Sequence, residues 1–115
     1  NNYLRDIDYS KAEGMFNNSN SSYVILVYDS YYSKSDYDSD IVSGVNDACN
    51  YLRKTIYSVD YSDNSYNYNN YWTKAIKDYD KPVLIHVKNN RIVTYKELSS
   101  TDSYYDAETF INNNR

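Results

Sequence analysis

The chain reads as an α/β protein, a central mixed β-sheet with flanking helices, and three observations carry that reading. First, the runs Tyr23-Val24-Ile25-Leu26-Val27-Tyr28 and Val83-Leu84-Ile85-His86-Val87-Lys88 are short and almost unbroken in apolar character, as strands buried on both faces are. Second, Ile41, Val42, Val45, Ala48, Cys49 and Leu52 recur at spacings of one, three and four, which is one stripe of a helix. That helix stands between the first strand and a second, Thr55-Ile56-Tyr57-Ser58-Val59-Asp60. A strand–helix–strand unit is expected to be parallel. Third, Asn89-Asn90 separates the Val83 strand from Arg91-Ile92-Val93-Thr94-Tyr95. Two asparagines suit a two-residue turn with positive φ, so these strands pair antiparallel.

The remaining elements follow in chain order. Tyr3-Leu4-Arg5-Asp6-Ile7 alternates weakly and suits a short edge strand. Ser10-Lys11-Ala12-Glu13 has the form of a capping box, with Met15 and Phe16 on the apolar side of a short helix that Gly14 weakens. Residues 17–22 form a loop. In the long helix, Asp36, Asp38 and Asp40 load the first turn and Arg53-Lys54 the last, both matching the helix dipole. The polar segment 61–70 leads to a helix carrying Tyr71, Trp72, Ala75, Ile76 and Tyr79. Asp80-Lys81-Pro82 ends it, because the residue before proline is pushed out of the α region. A last helix over residues 103–112 turns Ala107, Phe110 and Ile111 inward. The expected order is β-α-β-α-β-α-β-β-α, in one domain spanning 1–115.

Composition narrows the function. At 115 residues the chain suits a single domain. Seventeen tyrosines inflate the hydrophobic fraction of 41%, and tyrosine can sit half-buried with its hydroxyl in water. The net charge is −4, with no basic cluster, so the electrostatic footprint of nucleic-acid binding is missing. No run approaches the length of a membrane span. The single cysteine permits no internal disulfide. The chain begins at Asn1 without a methionine, as it would after removal of a signal peptide or a tag. A surface rich in Asn, Ser, Asp and Tyr resembles exported proteins of low-GC Gram-positive bacteria.

Several residues carry a chemical reading beside a plain one. Cys49 falls on the apolar stripe of the long helix, which favours a small core residue over a reactive thiol. His86 lies inside an apolar strand without a second histidine, cysteine or serine motif, which favours a core histidine. Asp36, Asp38 and Asp40, with Asp47 at the twelfth position, imitate a calcium loop. Ile41, however, stands where such a loop needs glycine, and the periodicity that follows demands a helix. The Asn-x-Ser sequons at Asn17 and Asn20 fall in a polar loop. Tyr31, Tyr32 and Tyr37 surround the first loop, and Tyr66, Tyr68, Tyr71 and Trp72 crowd the approach to Pro82. Such surfaces can serve as adaptable binding patches, although tyrosine is scattered along the whole chain.

The element order, with one proline opening the third main strand, resembles the thioredoxin fold. Val24-Ile25-Leu26-Val27-Tyr28 is similar to the strand that enters that family's active site. Tyr32-Ser33-Lys34-Ser35-Asp36 is similar to its aromatic residue and C-x-x-C segment, and residues 81–92 to its proline strand, hairpin and return strand. Ile7-Asp8-Tyr9-Ser10 resembles the N-terminal part of the bacteriocin-accessory thioredoxin-like proteins of Gram-positive bacteria. Aligning Tyr32 with the aromatic residue puts Ser33 and Asp36 where the thiols stand; shifting by one puts Lys34 and Tyr37 there. Neither register supplies sulfur, and disulfide exchange needs an attacking thiolate and a resolving thiol. The resemblance also implies that Pro82 follows a cis peptide bond beside the loop, where an extended peptide can pair.

The expectation is therefore a redox-inactive, non-enzymatic module without cofactor or metal. Its binding surface would comprise Tyr31, Tyr32, Ser33, Lys34, Ser35, Asp36, Lys81 and Pro82. Its partner would be a protein or extended peptide, and its place secreted or at a cell envelope, with the cytoplasm as the alternative. Two other functions stay open: a one-cysteine thiol enzyme using Cys49 with an external thiol such as glutathione, and a tyrosine-rich binder of glycans or cell wall.

Overall fold

The computed structural model describes residues 3–18, 22–28, 36–60, 82–99 and 101–114, except for the side chains of 36–39. Within them the order is β1 (Leu4–Asp6), α1 (Tyr9–Phe16), β2 (Ser22–Tyr28), α2 (Asp36–Leu52), β3 (Ile56–Asp60), β4 (Val83–Lys88), β5 (Arg91–Glu97) and α3 (Ser103–Asn113). The helix expected around Tyr71 and Trp72 lies outside the described residues. The strands form one sheet in the order β1-β3-β2-β4-β5. β3 runs parallel to both β1 and β2, while β4 runs antiparallel to β2 and to β5. The mixed sheet is as the sequence predicts: a helix crossover keeps β2 and β3 parallel, and a tight turn reverses β5 on β4. Asn89 and Asn90 take φ of 54° and 65°, the left-handed conformation that asparagine tolerates best after glycine.

β2 is central because both of its faces are apolar. Val24 and Leu26 join Leu84 on one face, packed with Ile41, Val45, Ala48 and Cys49 of α2 and Ala107, Phe110 and Ile111 of α3. Ile25 and Val27 join Ile85 and Val87 on the other, with Ala12 and Phe16 of α1. The helical stripe read from the sequence is thus the buried stripe, with Val42 and Leu52 half-buried at its margins. Asn90 donates from its amide to the carbonyl of Phe16 at 2.7 Å, which ties the hairpin turn to the end of α1. At the other edge, buried Ser58 donates its hydroxyl to the Asp6 carboxylate, which satisfies that hydroxyl between β1 and β3.

Two helix ends differ from expectation. The N-cap of α1 is Asp8, whose carboxylate accepts from the Lys11 amide at 2.7 Å. Ser10 is already helical, and Glu13 instead accepts from the Tyr9 hydroxyl at 2.7 Å. A carboxylate is as good a cap as a serine hydroxyl and suits the positive helix end as well, so the earlier residue takes the position. Arg53 and Lys54 lie past the last turn of α2 rather than in it. Arg53 sits at φ 56°, and the Lys54 amide reaches back to the Cys49 carbonyl at 3.1 Å. This is a Schellman closure with an arginine where glycine is usual. Strand and helix limits otherwise move by one or two residues, the ordinary fraying of element ends.

Candidate functional site

The site expected from the sequence sits where β2 ends and α2 begins. Tyr31, Tyr32, Ser33, Lys34, Ser35 and Lys81 lie outside the described residues, as does the Lys81–Pro82 peptide bond. So do Tyr66, Tyr68, Tyr71 and Trp72 and the side chains of Asp36 and Tyr37. The frame around them is described. β2 ends at Tyr28 and α2 starts at Asp36. Val27 is paired with Val83, which places Pro82 beside the end of β2. Pro82 is buried, and its carbonyl accepts from the Leu98 amide at 2.9 Å. That bond anchors the start of β4 to the segment leaving β5. The topology therefore brings the start of α2 and Pro82 to one end of the sheet, although they are 46 positions apart in the chain (82 − 36). The stretch that imitates a calcium loop continues straight into the α2 helix.

Cys49 stands elsewhere. It lies thirteen residues after Asp36 in α2, about 20 Å along the axis at 1.5 Å per residue. It has no exposed surface, and burial pushes its thiol up to about 12, only partly offset by a backbone hydrogen bond. A thiol held neutral and sealed in the core is a poor nucleophile. His86 is buried on the α2–α3 side of the sheet, opposite Val24 and Thr94. Its Nε2 lies 3.3 Å from the Ser22 hydroxyl, and its Nδ1 has no partner among the described residues. It belongs to the core, though only half of its hydrogen-bonding capacity is met.

A second concavity went unread in the sequence. A cavity of about 330 Å³ opens at the opposite end of the sheet, where β2 and β3 begin and α3 ends. Ser22, Arg53, Lys54, Thr55, Tyr57 and Asn114 are among its walls. These residues come from three distant parts of the chain, so no local pattern announces them. The only sequence signal was the adjacent pair Arg53-Lys54, which is equally well explained as the basic end of a helix.

The sheet order and flanking helices define a thioredoxin-like fold, and solved structures agree. The chain superposes on the thioredoxin NaTrxh of Nicotiana alata with a TM-score of 0.64 at 14% identity, covering 99% of this chain and 94% of that one. It superposes on Schistosoma mansoni thioredoxin with a TM-score of 0.61 at 14% identity, covering 96% and 94%. The J-Trx1 fragment of ERdj5 gives 0.64 at 12% identity, and there the chain spans 51% of the fragment's length. No profile of a known protein family and no curated protein sequence matches the chain.

Proposed function

We propose that this protein uses a thioredoxin-like frame to hold an extended segment of a partner protein, without disulfide exchange. The observation that carries the reading is the place of the single cysteine. It is buried with a raised thiol, one helix-length away from the end of β2 where a thioredoxin-like fold keeps its chemistry. The loop holding Tyr31, Tyr32, Ser33, Lys34, Ser35 and Asp36 would form one wall of the surface, and Lys81 with Pro82 the other. Tyrosine and serine side chains give contact area and adaptable hydrogen bonds, as in other protein-binding loops. An extended peptide would pair its backbone with that of Lys81, the residue before the proline. The composition and the N-terminal resemblance support an exported accessory role in a Gram-positive bacterium, with the module secreted or held at the envelope.

The test is capture of extended peptides from a displayed library by the intact chain, repeated with Tyr32→Ala/Lys81→Ala. Loss of at least about tenfold in affinity is expected if these residues are binding anchors. Equal capture by the double variant removes the surface from consideration. The same preparation should leave an insulin disulfide intact in the presence of dithiothreitol, beyond the uncatalysed rate; turnover would overturn the redox-inactive reading.

A further inference from the structure

We propose that the cavity at the opposite end of the sheet binds a small organic anion, a carboxylate or phosphate ester. Its volume of about 330 Å³ falls at the lower end of small-molecule sites. Its walls combine charge with apolar surface. Arg53 and Lys54 stand side by side there, and among the described residues neither side chain has an ion-pair or hydrogen-bond partner. Two adjacent cations in a concave wall attract an anion, and a guanidinium can hold a carboxylate or phosphate through two parallel bonds. Val24, Ile56 and Ile111, buried on the α2–α3 face, line the same cavity and give it an apolar floor.

Two further observations point to the same use. Arg53 holds a left-handed conformation, φ 56°, that glycine would adopt without strain. The backbone gains nothing from arginine at this position, whereas the cavity gains a charge. Strain kept at one residue marks a side chain retained for another purpose. The second is His86, 9% exposed, whose Nδ1 is buried without a partner among the described residues. A buried N–H without an acceptor is rarer than an unmatched acceptor. The proton therefore belongs on Nε2, which donates to the Ser22 hydroxyl 3.3 Å away. Ser22 lines the cavity, and with its oxygen accepting from His86 its own O–H is free to turn toward an anion. Asn114, which lines the cavity, is held in place by donating its amide nitrogen to the Phe110 carbonyl at 3.0 Å.

The experiment is an NMR titration of the ¹⁵N-labelled chain with phenyl phosphate and with phenylacetate, with benzylamine as a cationic control. Saturable shifts are expected at amides 22–24, 54–57 and 111–114 with both anions, and the tighter of the two identifies the head group. Arg53→Gly keeps the helix closure, so it should fold, and it should bind at least about tenfold more weakly, the effect of losing one charge-assisted contact. Ser22→Ala should weaken binding by less. The proposal is overturned if neither anion gives a saturable shift up to about 10 mM, if Arg53→Gly binds as tightly as the unchanged chain, or if benzylamine binds equally well.

Discussion

The two glycines of the chain sit in the helices covering opposite faces of the sheet, and their surroundings differ. A methyl group built on Gly44, in α2, would collide with the Ser103 hydroxyl and come within 3.2 Å of both Ser103 Cβ and the Tyr104 amide nitrogen. A methyl group on Gly14, in α1, would meet nothing within 4 Å. On the first face two helices must pass each other closely before either can cover the sheet, so a small residue at their crossing is a condition of packing. On the second face, α1 is held by Ala12 and Phe16, and Gly14 only weakens the helix. The same residue type is thus structural on one face and dispensable on the other.

The largest effect expected from this contrast is at the crossing. Gly44→Ala should destabilise the protein by about 2 kcal/mol in urea unfolding, because overpacking outweighs the roughly 1 kcal/mol of added helix propensity. Adding Ser103→Ala should recover part of the loss, since the hydroxyl is the nearest atom. No loss from Gly44→Ala would mean that the helices do not set the geometry of that face.

Alkaline unfolding separates the faces next. Burial raises the Cys49 thiol from 9.0 to about 12 on the α2–α3 face, and it raises the Tyr23 phenol above its ordinary 10.0 on the α1 face. Each group keeps its proton longer in the folded chain than in the unfolded one. The Cys49 contribution is complete below about pH 9 and is lost as pH rises toward 12, and that of Tyr23 is complete below about pH 10 and falls above it. Denaturant midpoints followed from pH 8 upward should therefore fall more gently in Cys49→Ala from about pH 9, and in Tyr23→Phe from about pH 10. An unchanged slope in both variants would show that the two buried hydroxyl and thiol groups do not govern alkaline stability. The smallest effect is a gain: Gly14→Ala should raise stability by about 0.5–1 kcal/mol, read as a higher melting temperature.

Much of the fold was legible because the strongest patterns are also the buried ones. The apolar runs of β2 and β4, the stripe of α2 and the inward residues of α3 lie in the two clusters that pack the sheet. The asparagine turn was readable because its positive φ has few other occupants. The cap of α1 was not, because Asp8 and Ser10 are both good caps and only the path of the chain out of β1 decides between them. The left-handed Arg53 leaves no trace in the local sequence, since arginine is an ordinary last-turn residue. The cavity was invisible for a different reason: Ser22, Arg53 and Asn114 meet only through the sheet order and the packing of α3. Of the site expected at the end of β2, the flanking elements and Pro82 are described, and the loop residues that would do the binding are not.

The edges of the sheet carry one more consequence. β1 is only three residues long and places Arg5 and Asp6 at one border. β5 is longer, with Val93 and Tyr95 exposed, but Val93 is an extra residue opposite the His86–Val87 step, and Arg91, Lys96 and Glu97 line the same strand. A kinked, charged border is a poor template for another chain to extend. A sheet this apolar at its centre can therefore remain a single molecule at the concentrations where flat, uncharged borders would let copies stack into fibrils.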